Sequence, residues 1–167
     1  LFHGKLLEIS RKRCKIYRNE NRYRRKVLVM NGRKIGGAVI GYGGMGHFHG
    51  DKMRTVDGIR LAGIYDIDPE RCKFAESEGI HAYSSRAELL ADPEIELVVV
   101  ATPNDVHKEI ALDAFAAGKN VISEKPVAMN SAELEEMIAA ANRAGKLFTV
   151  HQNRRWDEDY LTVKKMV

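Results

Sequence analysis

The sequence predicts an α/β fold, a doubly wound parallel sheet with helices on its faces. Three observations predict it. From Lys34 onward, short apolar runs alternate with segments of helical period, the signature of repeated strand–helix units. The first run leads straight into Gly41-Tyr42-Gly43-Gly44-Met45-Gly46, a glycine cluster at a strand-to-helix junction. A chain of 167 residues, 44% hydrophobic and 30% charged, has room for one well-buried core, since single domains cluster at about 100–150 residues.

The elements follow in order. Ile35–Ile40 reads as the first strand, and the helical pattern of Gly44–Thr55 starts within the glycines. Ile59–Asp66 is the second strand. Pro69–Glu78 is a helix with Pro at a first-turn position, closed by Gly79. Ile80–Tyr83 is a short third strand, Arg86–Ala91 a short helix, and Leu97–Thr102 a fourth strand. Val106–Ala117 is a helix closed by Gly118, and Asn120–Glu124 is the fifth strand. Ser131–Ala144 is a helix with capping-box spacing at Asn130 and Glu133 and a closing Gly145. Leu147–Gln152 completes six strands, enough for a whole doubly wound sheet.

Composition excludes several classes. Fourteen Gly and four Pro without a repeat rule out collagen-like and low-complexity chains. The longest apolar run, Leu97–Ala101, is far short of the roughly 20 residues a membrane-spanning helix needs. Cys14 and Cys72 form no CxxC pair, and no signal-peptide stretch opens the chain, so a reducing, cytoplasmic compartment is expected. The net charge of +4 is unevenly distributed. Residues 1–34 carry 12 of the 27 Lys and Arg but only two of the 23 acids, which leaves the remainder at −6. Residues 1–33 are therefore read as a basic extension. Three readings of it stay open: an upstream extension of the reading frame before Met30, an added hairpin closed at Asn31-Gly32, or a nucleic-acid-binding arm, the last given least weight.

The glycine spacing has a mechanism. Gly41 permits a tight turn, Gly43 lets backbone approach a pyrophosphate, and Gly46 lets helix pack closely on strand. Phosphates then meet free amides and the positive end of the helix dipole. Asp66 lies twenty positions after Gly46 at the end of the second strand, where an acid accepts hydrogen bonds from an adenosine ribose. A carboxylate there repels a 2′-phosphate. The next residues, Ile67, Asp68 and Pro69, supply no Arg to hold one, so NAD is expected over NADP. Asp68 before Pro69 fits a helix cap better than a ligand. His3, His47, His49 and His81 have no metal-ligand partner at useful spacing, and no metal site is expected. His151 could line the pocket or serve as a structural histidine, and Trp156 could close the site or pack.

Five ordered features carry a resemblance. They are the glycine fingerprint, Asp66-Ile67-Asp68-Pro69, Ala101-Thr102-Pro103-Asn104 with His107, Glu124-Lys125-Pro126, and Asn153-Arg154-Arg155-Trp156. In this order, each at a strand end, they make the chain from about Lys34 to Val167 resemble the Gfo/Idh/MocA family of nicotinamide-dependent oxidoreductases, whose cofactor domain has the Rossmann fold. The resemblance implies that Gly41, Tyr42, Gly43, Gly44, Met45 and Gly46 form the phosphate loop. It also implies that Thr102, Pro103 and Asn104 lie beside the nicotinamide and its ribose, supported by His107. Glu124, Lys125 and Asn153 would approach the same end of the cofactor, with Lys125 as the catalytic group at the reacting hydroxyl and a cis peptide before Pro126. Lys125 suits that role, since an ammonium stabilises a developing alkoxide and burial lowers its pKa.

The resemblance further implies an NAD-dependent dehydrogenase acting on a secondary alcohol of a sugar, polyol or related hydroxy compound. The alternative is a dinucleotide-binding or redox-sensing module without turnover. Residues 34–157 would be the dinucleotide-binding domain and 158–167 the start of a linker helix to a second α/β domain that this chain lacks. On that reading the chain alone binds cofactor without turning over sugars. A small-molecule substrate, no membrane or nucleic-acid partner, and a homo-oligomeric full-length protein complete the expectation.

Overall fold

A computed structural model describes residues 33–166, so the readings placed on residues 1–32, including the Asn31-Gly32 turn, lie outside the described residues. The strands are β1 (Ile35–Ile40), β2 (Ile59–Tyr65), β3 (Leu97–Val100), β4 (Asn120–Ser123) and β5 (Phe148–Val150). All neighbouring pairs are parallel, in the order β2-β1-β3-β4-β5. Helices α1 (Gly44–Thr55), α2 (Pro69–Ser77), α3 (Arg86–Ala91), α4 (His107–Ala116) and α5 (Ser131–Ala144) make the crossovers. Helix α6 (Glu158–Met166) follows a 3-10 turn at Asn153–Trp156. No described helix is long and apolar enough to cross a membrane.

Alternate residues of the central strands enter two cores. Ala38, Ile40, Val98 and Val100 pack on one face with Leu89, Ile110, Phe115 and Met137, whereas Val39 and Val99 pack on the other with Met53, Ile64 and Ile80. A strand with side-chain period two and helices on both faces must be apolar throughout, which is why β3 reads Leu-Val-Val-Val. Each such valine, fully withdrawn from water, contributes about 1.5–3 kcal/mol.

The sixth expected strand, Ile80–Tyr83, is a correction. It forms a single bridge, Ile64 with Ala82, held by Ile64 N–H to the His81 carbonyl (2.9 Å) and Tyr83 N–H to the Ile64 carbonyl (2.8 Å). The segment does run beside β2 at the sheet edge. It stops there because Ser85 caps α3, accepting from the Glu88 amide, and the chain turns before a ladder can extend. Strands β2 to β5 also end one or two residues earlier than the sequence suggests: the amides of Ala101, Glu124 and His151 still donate to Ile40, Val100 and Ser123 of the neighbouring strands, but the pairing goes no further as the chain enters the loops.

Helix ends follow the expected chemistry. Gly79, Gly118 and Gly145 all have left-handed backbone angles, with φ +75°, +74° and +64°. Asn130 caps α5 through its side chain, accepting from the Glu133 amide at 3.0 Å, while Glu133 accepts from the Met129 amide rather than from the cap itself. Asn130→Ala is expected to cost about 1 kcal/mol in urea denaturation, with unchanged slope. An unaltered midpoint would mean that the reciprocal Glu133 bond alone holds the helix start.

Candidate functional site

Chain order reverses between β1 and β3, from β1 outward to β2 and then back across to β3. Loops diverge at such a switch point, leaving a crevice beyond the carboxyl ends of the strands. A cavity of about 850 Å³ lies there, lined among others by Ile40, Gly41, Asp66, Arg71, Arg86, Thr102 and Pro103. Its size is that of an ordinary ligand pocket.

The glycine loop is built for close approach. Gly41 has φ +89°, and a Cβ on it would stand 2.7 Å from the Ala101 carbonyl oxygen. A Cβ on Gly46 would stand 1.9 Å from the Gly41 carbonyl oxygen, so α1 sits directly against the turn. Gly44 faces open space, with nothing within 4 Å of a built Cβ. Gly41 lines the cavity, the Arg71 guanidinium lies 3.3 Å from where a Cβ on Gly43 would stand, and the first turn of α1, in which Met45 lies, begins directly after it with no side-chain cap. Tyr42 does something different. Its ring is buried in the core, and its amide donates to Asp66 Oδ2 at 2.6 Å.

Asp66 is buried at the end of β2. Oδ1 accepts from the Asp68 amide (2.8 Å), and Oδ2 accepts from Tyr42 and from Arg71 Nη1 (3.2 Å). Arg71 also approaches Asp68 (Nε to Oδ2, 3.6 Å), so one guanidinium serves two carboxylates and the cluster keeps a net negative charge. Asp68 is the N-cap of α2, accepting from the Glu70 amide at 3.0 Å. Arg71 escaped the sequence reading because it lies in the first turn of α2, five positions after the acid and not directly behind it.

Thr102, Pro103 and Asn104 form the loop after β3. His107 lies wholly buried behind it, one ring nitrogen 2.9 Å from the Thr102 carbonyl and the other 3.0 Å from the Pro126 carbonyl. It ties two loops together without facing the crevice. The Lys125-Pro126 peptide is cis, as the resemblance implied. Lys125 is exposed, so the burial expected of it is not supplied by the described residues. Glu124 beside it is buried and accepts from the Lys125 amide (3.2 Å). Its Oε1 meets His49 Nε2 (2.8 Å) and His151 Nδ1 (2.7 Å), with the two imidazoles edge to face at 4.6 Å. Burial alone would raise the Glu124 carboxyl, yet the bonds from His49, His151 and the Lys125 amide hold it below its ordinary value. Burial pushes the His49 imidazole down despite that carboxylate. No sequence spacing signals this trio, whose members lie 75 and 27 positions apart.

Two polar atoms on this edge lack partners. Thr102 Oγ1 and Asn153 Oδ1 are buried with no hydrogen bond among the described residues. Leaving such a group unsatisfied costs about 1–3 kcal/mol, a deficit that a ligand hydroxyl or amide removes. With the open glycine cradle, these atoms make the described residues fit a dinucleotide.

Comparison with known proteins agrees. The scyllo-inositol 2-dehydrogenase (NADP(+)) of Bacillus subtilis is 38% identical over 147 residues, which is 86% of this chain and 39% of that protein. Inositol 2-dehydrogenase 2 of Saccharopolyspora erythraea is 38% identical over 133 residues, 77% of this chain and 39% of that one. The crystal structure of an NAD-binding protein from Listeria innocua superposes with a TM-score of 0.78 at 44% identity, covering 80% of this chain and 40% of the other. The chain thus spans about two-fifths of the length of the relatives it matches. Residues 35–152 match the model of the oxidoreductase family with an NAD-binding Rossmann fold, and the chain belongs to that family, Gfo/Idh/MocA.

Proposed function

We propose that this chain is the cofactor-binding domain, residues 34–157, of a cytoplasmic NAD-dependent dehydrogenase. Its substrate would be a sugar, polyol or related hydroxy compound oxidised at a secondary alcohol, with inositols the first compounds to test given the relatives' names. A second domain entered through α6 would complete the substrate pocket, and the complete protein would be a homo-oligomer. The observation that carries the reading is the convergence, on one sheet edge, of the glycine cradle, Asp66, the unpartnered Thr102 and Asn153 atoms, and Glu124-Lys125.

The residues divide the work. The amides of Gly43, Gly44, Met45 and Gly46 hold the pyrophosphate, and Asp66 the adenosine ribose. Thr102, Pro103, Asn104, Glu124 and Asn153 hold the nicotinamide end, and His107 fixes the loops that carry them. When bound, the nicotinamide supplies the hydride acceptor. Lys125 Nζ hydrogen-bonds the reacting hydroxyl and stabilises the negative charge that develops on its oxygen. A binding module without turnover has no need of such a group at that position.

Cofactor titration tests the reading. NAD is expected to bind more tightly than NADP, because Asp66 and Asp68 outnumber Arg71 and leave the ribose end negative. Asp66→Ala should narrow the gap from both sides, weakening NAD and freeing Arg71 for the 2′-phosphate. Equal affinities in the parent protein would remove Asp66 from its assigned role, and binding of neither would remove the function.

A further inference from the structure

We propose that His49, Glu124 and His151 form a three-ligand site for a divalent transition-metal ion of the zinc class. The three come from separate elements: α1, the chain leaving β4 and the chain leaving β5. The tertiary fold brings His49 Nε2, Glu124 Oε1 and His151 Nδ1 within 4.8 Å of one another. Two imidazole nitrogens and one carboxylate oxygen are the donor set of three-ligand zinc sites, in which the fourth position stays open to water.

The two nitrogen-to-oxygen distances are close to those required. A tetrahedral ion bound at about 2.0–2.1 Å holds its donors roughly 3.3–3.4 Å apart. The two nitrogens now lie 2.8 and 2.7 Å from Oε1 and within 4.8 Å of each other, so each must withdraw from the oxygen by about half an ångström while the two imidazoles close on one another to admit the ion. Small side-chain rotations supply that. In the metal-free arrangement both ring nitrogens face the same oxygen as N–H donors. In the metal-bound one each imidazole carries its proton on the other nitrogen, and no net proton is gained or lost. His151 is the most exposed of the three, so the ion and its water enter from that side. The trio differs from His47, which pairs with Asp51 and Glu78 at 3.7 and 3.3 Å in a partly exposed setting and offers only one imidazole.

The ion would occupy the Glu124 oxygen, and metal and dinucleotide would then exclude each other. That consequence rests on the cofactor role proposed for Glu124, but the site itself does not. Co²⁺ titrated into metal-free protein should give the visible absorption of a tetrahedral N₂O-ligated ion at one equivalent, and Zn²⁺ should displace it. Glu124→Gln, His49→Asn and His151→Asn should each weaken binding about a hundredfold or more, beyond the 10- to 100-fold typical of outer-shell losses. His151→Asn lies at the rim, and an unchanged melting temperature for it separates ligand loss from unfolding. Absence of the signal, or its persistence in all three variants, overturns the site. If the signal appears and NAD leaves it unaltered, the metal site stands and the cofactor role proposed for Glu124 falls.

Discussion

Lys125→Met, in the complete dehydrogenase proposed above, is expected to lower kcat about a hundredfold or more with little change in NAD affinity. The side chain is exposed at the ligand edge, directly after a carboxylate anchored by two histidines. Its neighbours are already fixed. The Lys125 amide is bound to Glu124, and the Pro126 carbonyl is bound to His107, so replacing the ammonium with a thioether of similar length leaves the loop in place. In the role proposed for Lys125, what is lost is a donor whose charge matters most when the hydroxyl oxygen becomes negative, and such losses fall on turnover rather than binding. Steady-state kinetics beside a cofactor titration separates the two. Near-normal kcat in the variant would make Lys125 a turn residue, and a large rise in NAD dissociation constant with unchanged kcat would move it from the reacting hydroxyl to the cofactor.

Gly46→Ala is expected to destabilise the protein by roughly 3 kcal/mol or more and to abolish dinucleotide binding. The added Cβ would lie 1.9 Å from the Gly41 carbonyl oxygen and 3.4 Å from Val39 Cγ1. The obstructing atom is backbone, in a turn whose φ of +89° leaves no alternative path, so the whole of α1 must lift from β1. That lift would carry away the amides proposed to hold the pyrophosphate. Gly44→Ala is the control. With nothing within 4 Å of its Cβ, it should match the parent in stability or gain up to about 1 kcal/mol from a less flexible unfolded chain. Thermal melts of the pair test the claim, and equal melting temperatures would show that the loop yields where its geometry says it cannot.

The fold was legible because its signals are local. The bounds of β1, α1, α3 and α5 match the sequence reading, since each is delimited by a glycine, a capping residue or a change of hydrophobic period within a few positions. Ile80–Tyr83 is the instructive exception. Its four residues have strand composition, but whether a strand extends depends on a partner, and Ser85 turns the chain into α3 after one bridge. The same logic shortens β2 to β5. Motif residues at the strand ends look extended in sequence, yet the Asp66 and Glu124 carboxylates and the Thr102 carbonyl are engaged in the loops of the crevice.

By itself, then, the sequence determined the α/β architecture, the glycine cradle, the acid at the end of β2 and the motif family, because backbone constraints and period act between near neighbours. Only the tertiary structure decided which distant groups share an environment. It turned the Tyr42 amide inward to Asp66, set Arg71 between two carboxylates, placed His107 behind the loops and brought His49 and His151 onto one oxygen of Glu124. The physical reason is range. Capping and periodicity are fixed by covalent neighbours, whereas hydrogen bonding and the protonation preferences that follow from it depend on atoms within about 3 Å in space, and in a parallel sheet those arrive from strands tens of residues apart.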